Sequence, residues 1–208
     1  DVLTGGDHSF DKHLIFPFMA KEPRLLRPAN YPPGAPGQGM GIFEIPSREL
    51  KVGVLNLRGN AFFHNPIFCP FRAAERFIKE LKEETDLIFL DFHAEATGEK
   101  RALAWHIHES IPAMCGTHTH VQTADAEIFP GGMGYLSDAG FCGGYQGVIG
   151  MSKEVAIKRH LLQTPQKYEG APQDDLRVHG VLYEIDTEAA FCRDVTRISQ
   201  RVQAPRVE

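Results

Sequence analysis

The sequence predicts an α/β sandwich, and three observations support this fold class. Apolar runs of strand length occur between stretches whose apolar residues recur at helical spacing. Residues 178–185 and 191–198 partly alternate apolar and polar side chains, which is typical of antiparallel strands joined by a short turn. Polar residues follow directly after several of the predicted strands. Strands mixed with helices and ending in an antiparallel pair favour packed sheets flanked by helices.

Five further strands and three helices are predicted in chain order. The strands are short apolar runs over residues 1–4, 52–57, 87–92, 111–115 and 133–137. The first helix spans residues 70–81, because its apolar residues have helical spacing and Pro70 suits a first turn. Thr97 is the predicted cap of a helix over residues 99–109, and Ser152 caps one that reaches about residue 162. Residues 27–41, rich in proline and glycine, predict an ordered surface loop.

The size of the chain predicts a single domain over residues 1–208, because 208 residues suffice for a sizeable core. The chain begins with Asp1 and not with Met, and its first residues already have the character of a buried strand. We therefore expect an upstream segment to be missing. The four cysteines form no Cys-x-x-Cys pair, which favours reduced thiols in a cytoplasmic protein over a cysteine-based zinc site.

Charge and hydropathy limit the partners of the protein. The formal net charge is −5 and no dense run of lysine and arginine occurs, which argues against binding of extended nucleic acid. No apolar run approaches the length needed to cross a bilayer, so no membrane partner is expected. A small phosphate ester is still compatible with this charge, because bound metal ions would supply local positive charge.

Three of the predicted strands are followed by side chains that can bind a metal ion. Asp7 comes after the first strand, His93 after the third, and His118 and His120 after the fourth. The carboxyl ends of strands in an α/β sheet line a ligand-binding crevice, so these side chains are expected to converge. In extended backbone, the imidazoles of His118 and His120 would point to the same side. Imidazole nitrogens with one carboxylate oxygen suit iron, manganese or zinc.

The alternative for these histidines is an ordinary polar role. A single histidine is more often hydrogen-bonded or on the surface, and the chain has ten, so one His-x-His pair could arise by chance. His106 and His108 form a second such pair, but in a predicted helix, where residues two apart do not share a face. The spacing of His118 and His120 alone leaves both interpretations open. Metal binding is favoured because Asp7 and His93 also follow the ends of predicted strands.

His8 follows a candidate ligand directly and has two interpretations. Its imidazole could protonate a leaving alkoxide, an effect typically worth about 10²–10⁴ in rate, or it could merely hydrogen-bond a loop, which the residues alone slightly favour. Asp91 and Glu95 flank His93 and could orient its ring, although Asp91 could equally be solvated or paired with a basic side chain. Asp125 and Asp138 are weaker candidates. No glycine-rich nucleotide loop and no Gly-x-Ser-x-Gly elbow occur in the sequence.

Several stretches of the chain resemble one protein family. They are GDHSF (residues 6–10), RPAN (27–30), DFHAEAT (91–97), GTHTHVQTAD (116–125) and SDAG (137–140). With them, the chain resembles the YmdB-type branch of the calcineurin-like metallophosphoesterases over nearly its whole length. The resemblance implies a four-layer α/β/β/α sandwich, N-terminally incomplete in this chain. It also implies phosphodiesterase activity on small cyclic nucleotides, including 2′,3′-cyclic ones.

The same resemblance implies a centre of two divalent ions and a role for each candidate residue. Asp7, His93 and His118 would bind one ion. His120 would bind the other. Hydroxide generated by the metal ions would attack phosphorus while His8, the family's proton donor, protonates the departing ribose oxygen.

Two departures from the family pattern keep alternatives open. The family usually has asparagine where this chain has Asp7, and the upstream motifs that supply further metal ligands are absent from this chain. We therefore expect this chain to hold one metal site with a nearly complete ligand set and another largely dismantled, which puts the activity of the chain alone in doubt. A non-catalytic metal- or nucleotide-binding regulator on the same fold is one alternative. A metal-dependent hydrolase of another ester or amide is the other. The sequence also leaves room for a homo-oligomer.

Overall fold

The protein is built around a six-stranded sheet, and the structure, a computed structural model, describes residues 1–202. The strands are β1 (Leu3–Thr4), β2 (Leu25–Leu26), β3 (Met40–Ile45), β4 (Leu50–Arg58), β5 (Ile88–His93), β6 (Ala113–Thr117), β7 (Glu127–Ile128), β8 (Gly134–Leu136), β9 (Gly143–Gly144), β10 (Gly147–Val148), β11 (Met151–Ser152), β12 (Leu176–Asp186) and β13 (Phe191–Val202). The helices are α1 (Phe16–Met19), α2 (Pro70–Leu81), α3 (Thr97–Ile107) and α4 (Lys153–Leu162), with 3₁₀ turns at His13–Ile15 and Pro46–Arg48.

The main sheet has the strand order β3-β4-β5-β6-β8-β7. Strands β4, β5, β6 and β8 run parallel, and β3 and β7 pair antiparallel at the two edges. Arg58 at the end of β4 is paired with His93 at the end of β5, and His93 is paired with Thr117 at the end of β6. Three polar side chains therefore share one row at the carboxyl edge, where α/β sheets bind ligands.

A second sheet and a pair of helices cover the two faces of the main sheet. The second sheet, β13-β12-β9, packs through Tyr183, whose hydroxyl donates to the Met114 carbonyl at 2.8 Å and whose ring lies 5.9 Å from Phe89. Ile88 and Leu90 alternate with Phe89 and face the other way, into a core shared with α2 and α3. The predicted α/β sandwich is therefore the observed fold class.

Most predicted helices and strands are found close to their predicted positions. Helix α2 has the predicted bounds, Pro70–Leu81, and turns Ala74 and Ile78 into the core at helical spacing. Ser152 caps α4 as predicted, because its hydroxyl accepts a hydrogen bond from the Val155 N–H at 3.5 Å. No helix within residues 1–202 is long and apolar enough to cross a membrane.

Three local predictions were wrong. The first strand was expected to be buried, but Leu3 and Thr4 of β1 are exposed, because β1 pairs with β2 and lies outside the main sheet. Helix α3 is preceded by Ala96, so Thr97 is its first residue and not its cap. Strand β3, Met40–Ile45, was not predicted because it begins inside the stretch expected to be a loop. It lies at the edge of the sheet, and its side chains are at most partly buried, so it lacks the apolar pattern of an inner strand.

Asp186 organises the turn between β12 and β13. Its carboxylate accepts hydrogen bonds from the backbone N–H groups of Glu188 at 3.0 Å and Ala189 at 3.1 Å, and the Arg193 guanidinium also donates to it. The bond from Arg193, followed by the two backbone bonds, lowers the pKa of Asp186 to about 2. A carboxylate whose pKa is depressed by folding stabilises the fold above its unfolded pKa, and this stabilisation is lost as the pH falls through the folded value.

Asp186→Asn is therefore expected to lower the unfolding temperature at neutral pH, because the ionised acceptor is lost. The difference between variant and parent should shrink as the pH falls from about 4 towards 2, where the parent carboxylate takes up its proton. Thermal unfolding followed by circular dichroism measures this difference. The control, Glu188→Gln, removes the same charge from the same turn, and an equal effect from it would contradict the role given to Asp186.

Candidate metal centre

The candidate centre lies at the carboxyl edge of the main sheet. His93 is the last residue of β5, and His118 follows the last residue of β6. Asp7 reaches the same place from the loop that follows β1, where Gly6 lies against the His93 ring. A Cβ atom added at Gly6 would lie 2.3 Å from His93 Nε2, so only glycine allows this approach. Three segments distant in sequence thus meet at one point, as predicted. The predicted common sheet edge holds for His93 and His118 alone, because β1 pairs with β2 in a separate two-stranded sheet.

Three ligand atoms converge there. Asp7 Oδ1 lies 2.9 Å from His93 Nε2 and 3.6 Å from His118 Nδ1, and the two ring nitrogens are 3.1 Å apart. Atoms bound to one divalent ion at about 2.0–2.2 Å are separated by roughly 3.0–3.6 Å, so this triangle has the size of one face of a coordination shell. Among residues 1–202, it is the one group of three or more such side chains with all ligand atoms within 4.8 Å.

The outer nitrogens of both rings face hydrogen-bond partners, which leaves the inner nitrogens free to bind metal. Thr117 donates its hydroxyl hydrogen to Asp91 at 2.8 Å and therefore accepts from His93 Nδ1–H at 3.0 Å. His118 Nε2 lies 2.9 Å from a carboxylate oxygen of Glu95. Two nitrogen lone pairs and one carboxylate oxygen then face each other, and a cation between them would relieve their repulsion. The residues present therefore fit a divalent metal ion.

The protonation states of these side chains also suit a metal ion. Burial lowers the pKa of His93 to about 4, against the opposing contact with Asp7. His93 is therefore neutral at pH 7, which is the form in which imidazole binds metals. Burial alone would raise the pKa of Asp7, but its contact with His93 and the charges of His8, His93 and His118 together lower it. The Asp7 carboxylate is consequently ionised at neutral pH.

The backbone turns sharply at His118 and His120, where extended structure was predicted. Strand β6 ends at Thr117, and φ is 111° at His118 and 62° at His120, both in the left-handed region. The expectation that the two imidazoles point to the same side is therefore wrong. The His120 ring lies apart, with Nδ1 3.0 Å from the Ile149 carbonyl and its ring stacked 5.7 Å from Phe141. Because Nδ1 donates, Nε2 keeps its lone pair, and His120 stays a predicted ligand of a second ion.

His8 lies at the exposed rim of the centre. Its Nε2 atom is 3.5 Å from Asp7 Oδ2, its Nδ1 atom is 2.8 Å from Asp11 Oδ2, and its side chain is 80% exposed. The contact with Asp11 is the loop hydrogen bond that one interpretation expected. The other interpretation, in which His8 donates a proton, requires that its ring be accessible to solvent beside Asp7, and the ring is accessible there.

The segment between β4 and α2 forms an aromatic wall beside His118. Its start is held by Glu99 of α3, which accepts hydrogen bonds from the N–H groups of Asn60 and the next residue at 2.9 and 3.1 Å. Phe63 packs edge-on against His118 with ring centroids 5.1 Å apart, whereas the neighbouring Phe62 is 84% exposed. The wall is therefore fixed at its base and open to solvent beyond it.

A buried ion pair at this edge escaped the prediction from the sequence. Lys100 and Asp138 are each 1% exposed, and Lys100 Nζ lies 2.9 Å from Asp138 Oδ2. One signal could have revealed the lysine. It begins the series of buried residues Lys100, Leu103, Ala104 and Ile107 along one face of α3. A lysine at such a position is rarely buried without a partner.

Comparison with known proteins extends these observations over the whole chain. Residues 1–198 match the family model described as YmdB-like protein. The chain belongs to the YmdB-like family. A 2′,3′-cyclic-nucleotide 2′-phosphodiesterase of Bacillus subtilis is 41% identical over 198 residues, which is 95% of this chain and 74% of that protein. A Mycoplasma pneumoniae relative is 32% identical over 89% of this chain, which covers 66% of the relative's length. The predicted family of metallophosphoesterase hydrolases is thereby confirmed.

Solved structures of the same fold agree with this assignment. A hypothetical protein from Thermus thermophilus matches with a TM-score of 0.86 and 33% identity, over 97% of this chain and 76% of that one. A Mycoplasma pneumoniae protein described as a novel phosphatase matches with a TM-score of 0.86 and 29% identity, over 99% and 73% of the two chains. The calcineurin-like fold class of the YmdB-like chain is confirmed.

Thr117→Val is expected to weaken metal binding roughly 10–100-fold. Valine has nearly the same shape but cannot accept the hydrogen bond from His93 Nδ1–H, so the ring loses its fixed orientation. Calorimetric titration of the metal-free protein with Mn²⁺ measures the change. Thr117→Ser keeps the hydroxyl and should bind nearly as tightly as the parent. Equal affinities of Thr117→Val and the parent would show that the hydroxyl does not orient His93.

Proposed function

We propose that the protein is a metal-dependent phosphodiesterase that hydrolyses small cyclic nucleotides with the help of two divalent ions. The observation that carries this proposal is the convergence of Asp7 Oδ1, His93 Nε2 and His118 Nδ1 to within 3.6 Å of one another. The 41% identity to a Bacillus subtilis 2′,3′-cyclic-nucleotide 2′-phosphodiesterase supports the substrate class.

Four side chains are the proposed metal ligands. Asp7, His93 and His118 would hold one ion. His120, through Nε2, would be a ligand of the other. When bound, the ions would supply Lewis-acid stabilisation of the phosphoryl oxygens and a hydroxide nucleophile at neutral pH. The mixed nitrogen and oxygen donors are compatible with iron, manganese or zinc. Asp7 brings a full negative charge where asparagine is usual in the family, which favours retention of a cation and tempers its Lewis acidity.

His8 is the proposed proton donor. Its ring follows a proposed ligand in the chain and stays exposed beside Asp7, while Asp11 occupies Nδ1. Nε2 is then the atom that would deliver a proton to the departing ribose oxygen. A ribose alkoxide is a poor leaving group, so its protonation in the transition state is where an imidazole contributes most.

The proposed partners and location depend on more general observations. The net charge of −5 supports a small phosphodiester substrate over extended nucleic acid. All four cysteines are free, which supports a reducing compartment such as the cytoplasm. A homo-oligomer and a single domain over residues 1–208 stay predictions, and residues 203–208 lie outside the described part of the chain.

Three substrates assayed side by side test this function. The metal-supplemented protein is expected to turn over a 2′,3′-cyclic nucleotide and an aryl phosphodiester but not an aryl carboxylic ester, and a chelator should abolish both activities. A protein that retains no divalent ion, or that hydrolyses only the carboxylic ester, would overturn the proposal. Binding of the cyclic nucleotide without turnover would favour the non-catalytic regulator.

His8→Ala is expected to lower kcat for the cyclic nucleotide by about 10²–10⁴. The same variant should change turnover of bis(p-nitrophenyl) phosphate little, because p-nitrophenolate leaves without being protonated. Steady-state kinetics on both substrates give the comparison, and elemental analysis checks that the metal content is unchanged.

Asp11→Asn is the matched control for this variant. It removes the charged partner of His8 Nδ1 but keeps the imidazole, so its effect on kcat should be far smaller. Equal slowing of both substrates by His8→Ala would rule out the proton-donor role. Loss of metal from His8→Ala would instead indicate that the ring supports the Asp7 site.

A further inference from the structure

The ion pair between Lys100 and Asp138 is bonded directly to the turn that carries His118 and His120. Both side chains are 1% exposed, and the pair is closed at 2.9 Å. Removing two charges from water is costly unless the remaining hydrogen-bonding capacity is also used. The other hydrogen bonds of this pair therefore indicate which part of the backbone it holds in place.

The other hydrogen bonds of the Asp138 carboxylate go to two backbone N–H groups around the turn. Asp138 Oδ2, besides the Lys100 ammonium, accepts from the Thr119 N–H at 2.9 Å. Asp138 Oδ1 accepts from the Gly140 N–H at 2.9 Å, and the Asp138 N–H donates to the Thr123 hydroxyl at 2.9 Å. The carboxylate is therefore fixed from three directions, and one of the groups it holds lies between the two histidines.

The turn needs such an anchor because its backbone is strained. His118 and His120 both have positive φ, at 111° and 62°, and neither is a glycine. Side chains with a Cβ atom rarely adopt this conformation unless surrounding contacts enforce it. The hydrogen bond from Thr119 to Asp138 lies at the centre of the strained segment. On either side of this bond, His118 contacts Asp7 and His120 contacts Ile149.

We infer that Asp138, neutralised and held by Lys100, is the positioning residue that sets the His118-Thr119-His120 turn and so places the ligands of both metal ions. This inference rests on the proposed function of the two histidines as ligands. On this inference, the buried Asp138 carboxylate supports both proposed metal sites without being a ligand of either ion. Its loss is therefore expected to weaken both sites together, whereas loss of Glu95, which contacts His118 alone, should weaken one.

The test is metal binding by Asp138→Asn. An asparagine amide would direct N–H hydrogens at one of the two backbone N–H groups that Asp138 now accepts from, and it would leave the Lys100 ammonium unpaired. Titration of the metal-free protein with Mn²⁺ alone, followed by calorimetry, is expected to show binding weakened at least about tenfold. Hydrogen exchange of the Thr119 amide, measured by NMR without metal, should become fast.

A second variant and a control separate positioning from general stability. Lys100→Met/Asp138→Asn removes both charges, so it should fold even if the single variant does not, and it should still bind Mn²⁺ weakly. Leu81→Ala empties part of the core in α2, far from the turn, and should lower the unfolding temperature while Mn²⁺ affinity stays at the parental value.

The outcomes distinguish this inference from the proposed function. Parental Mn²⁺ affinity and slow Thr119 exchange in the double variant would overturn the positioning role and leave the proposed function standing. A parent that binds no Mn²⁺ would overturn both. If Leu81→Ala weakened Mn²⁺ binding as much as the Asp138 variants do, the weakening would be explained by lost stability alone, which would contradict the inference.

Discussion

The parallel register of β4, β5 and β6 is the constraint on which the candidate centre depends. It pairs Arg58 with His93 and His93 with Thr117, so segments far apart in sequence contribute neighbouring side chains. Thr117 orients the ring of His93, while the Arg58 guanidinium packs over Phe63, the aromatic ring that contacts His118. One row of the sheet thus supplies a proposed ligand, the hydrogen-bond partner of that side chain and the support of the neighbouring wall.

Buried polar groups next to this row satisfy one another with little help from solvent. Burial raises the pKa of Asp91 to about 6, against the hydrogen bonds from Thr4 and Thr117, and the Lys100 ammonium opposes the shift further. The same ammonium neutralises Asp138. One lysine therefore stabilises two carboxylates, Asp138 by direct contact and Asp91 through its charge at longer range, whereas an unpaired charge at this depth would be very costly. Such a network would give the proposed ligands the fixed orientation that a metal site needs.

The sequence was informative wherever local periodicity decided the outcome. Helix α2 followed from apolar spacing, and the approach of His93 to His118 followed from the common edge of the parallel strands β5 and β6. Asp7 comes to the same place from β1, which pairs with β2 outside that sheet, so the argument from a shared edge does not account for its position. The turn at His118 and His120 could not be predicted in the same way, because its left-handed backbone is bonded to Asp138, which comes 19 residues after Thr119. The spacing of buried residues in α3 places Lys100 on the buried face of the helix, but its partner Asp138 comes 38 residues later, so local patterns could not predict the ion pair. An edge strand such as β3 gives a weak signal because partial burial blurs its alternation.

Two adjacent residues in the first turns of α3 reach opposite sides of the centre. Glu99 holds the start of the aromatic wall, and Lys100 holds the carboxylate bonded to the histidine turn. A single helical turn thereby anchors both sides, while Phe62, in the segment that forms the wall, projects into solvent. A substitution in this one short stretch of helix would therefore disturb both sides of the candidate centre at once, whereas a substitution at Phe62 would leave both anchors in place.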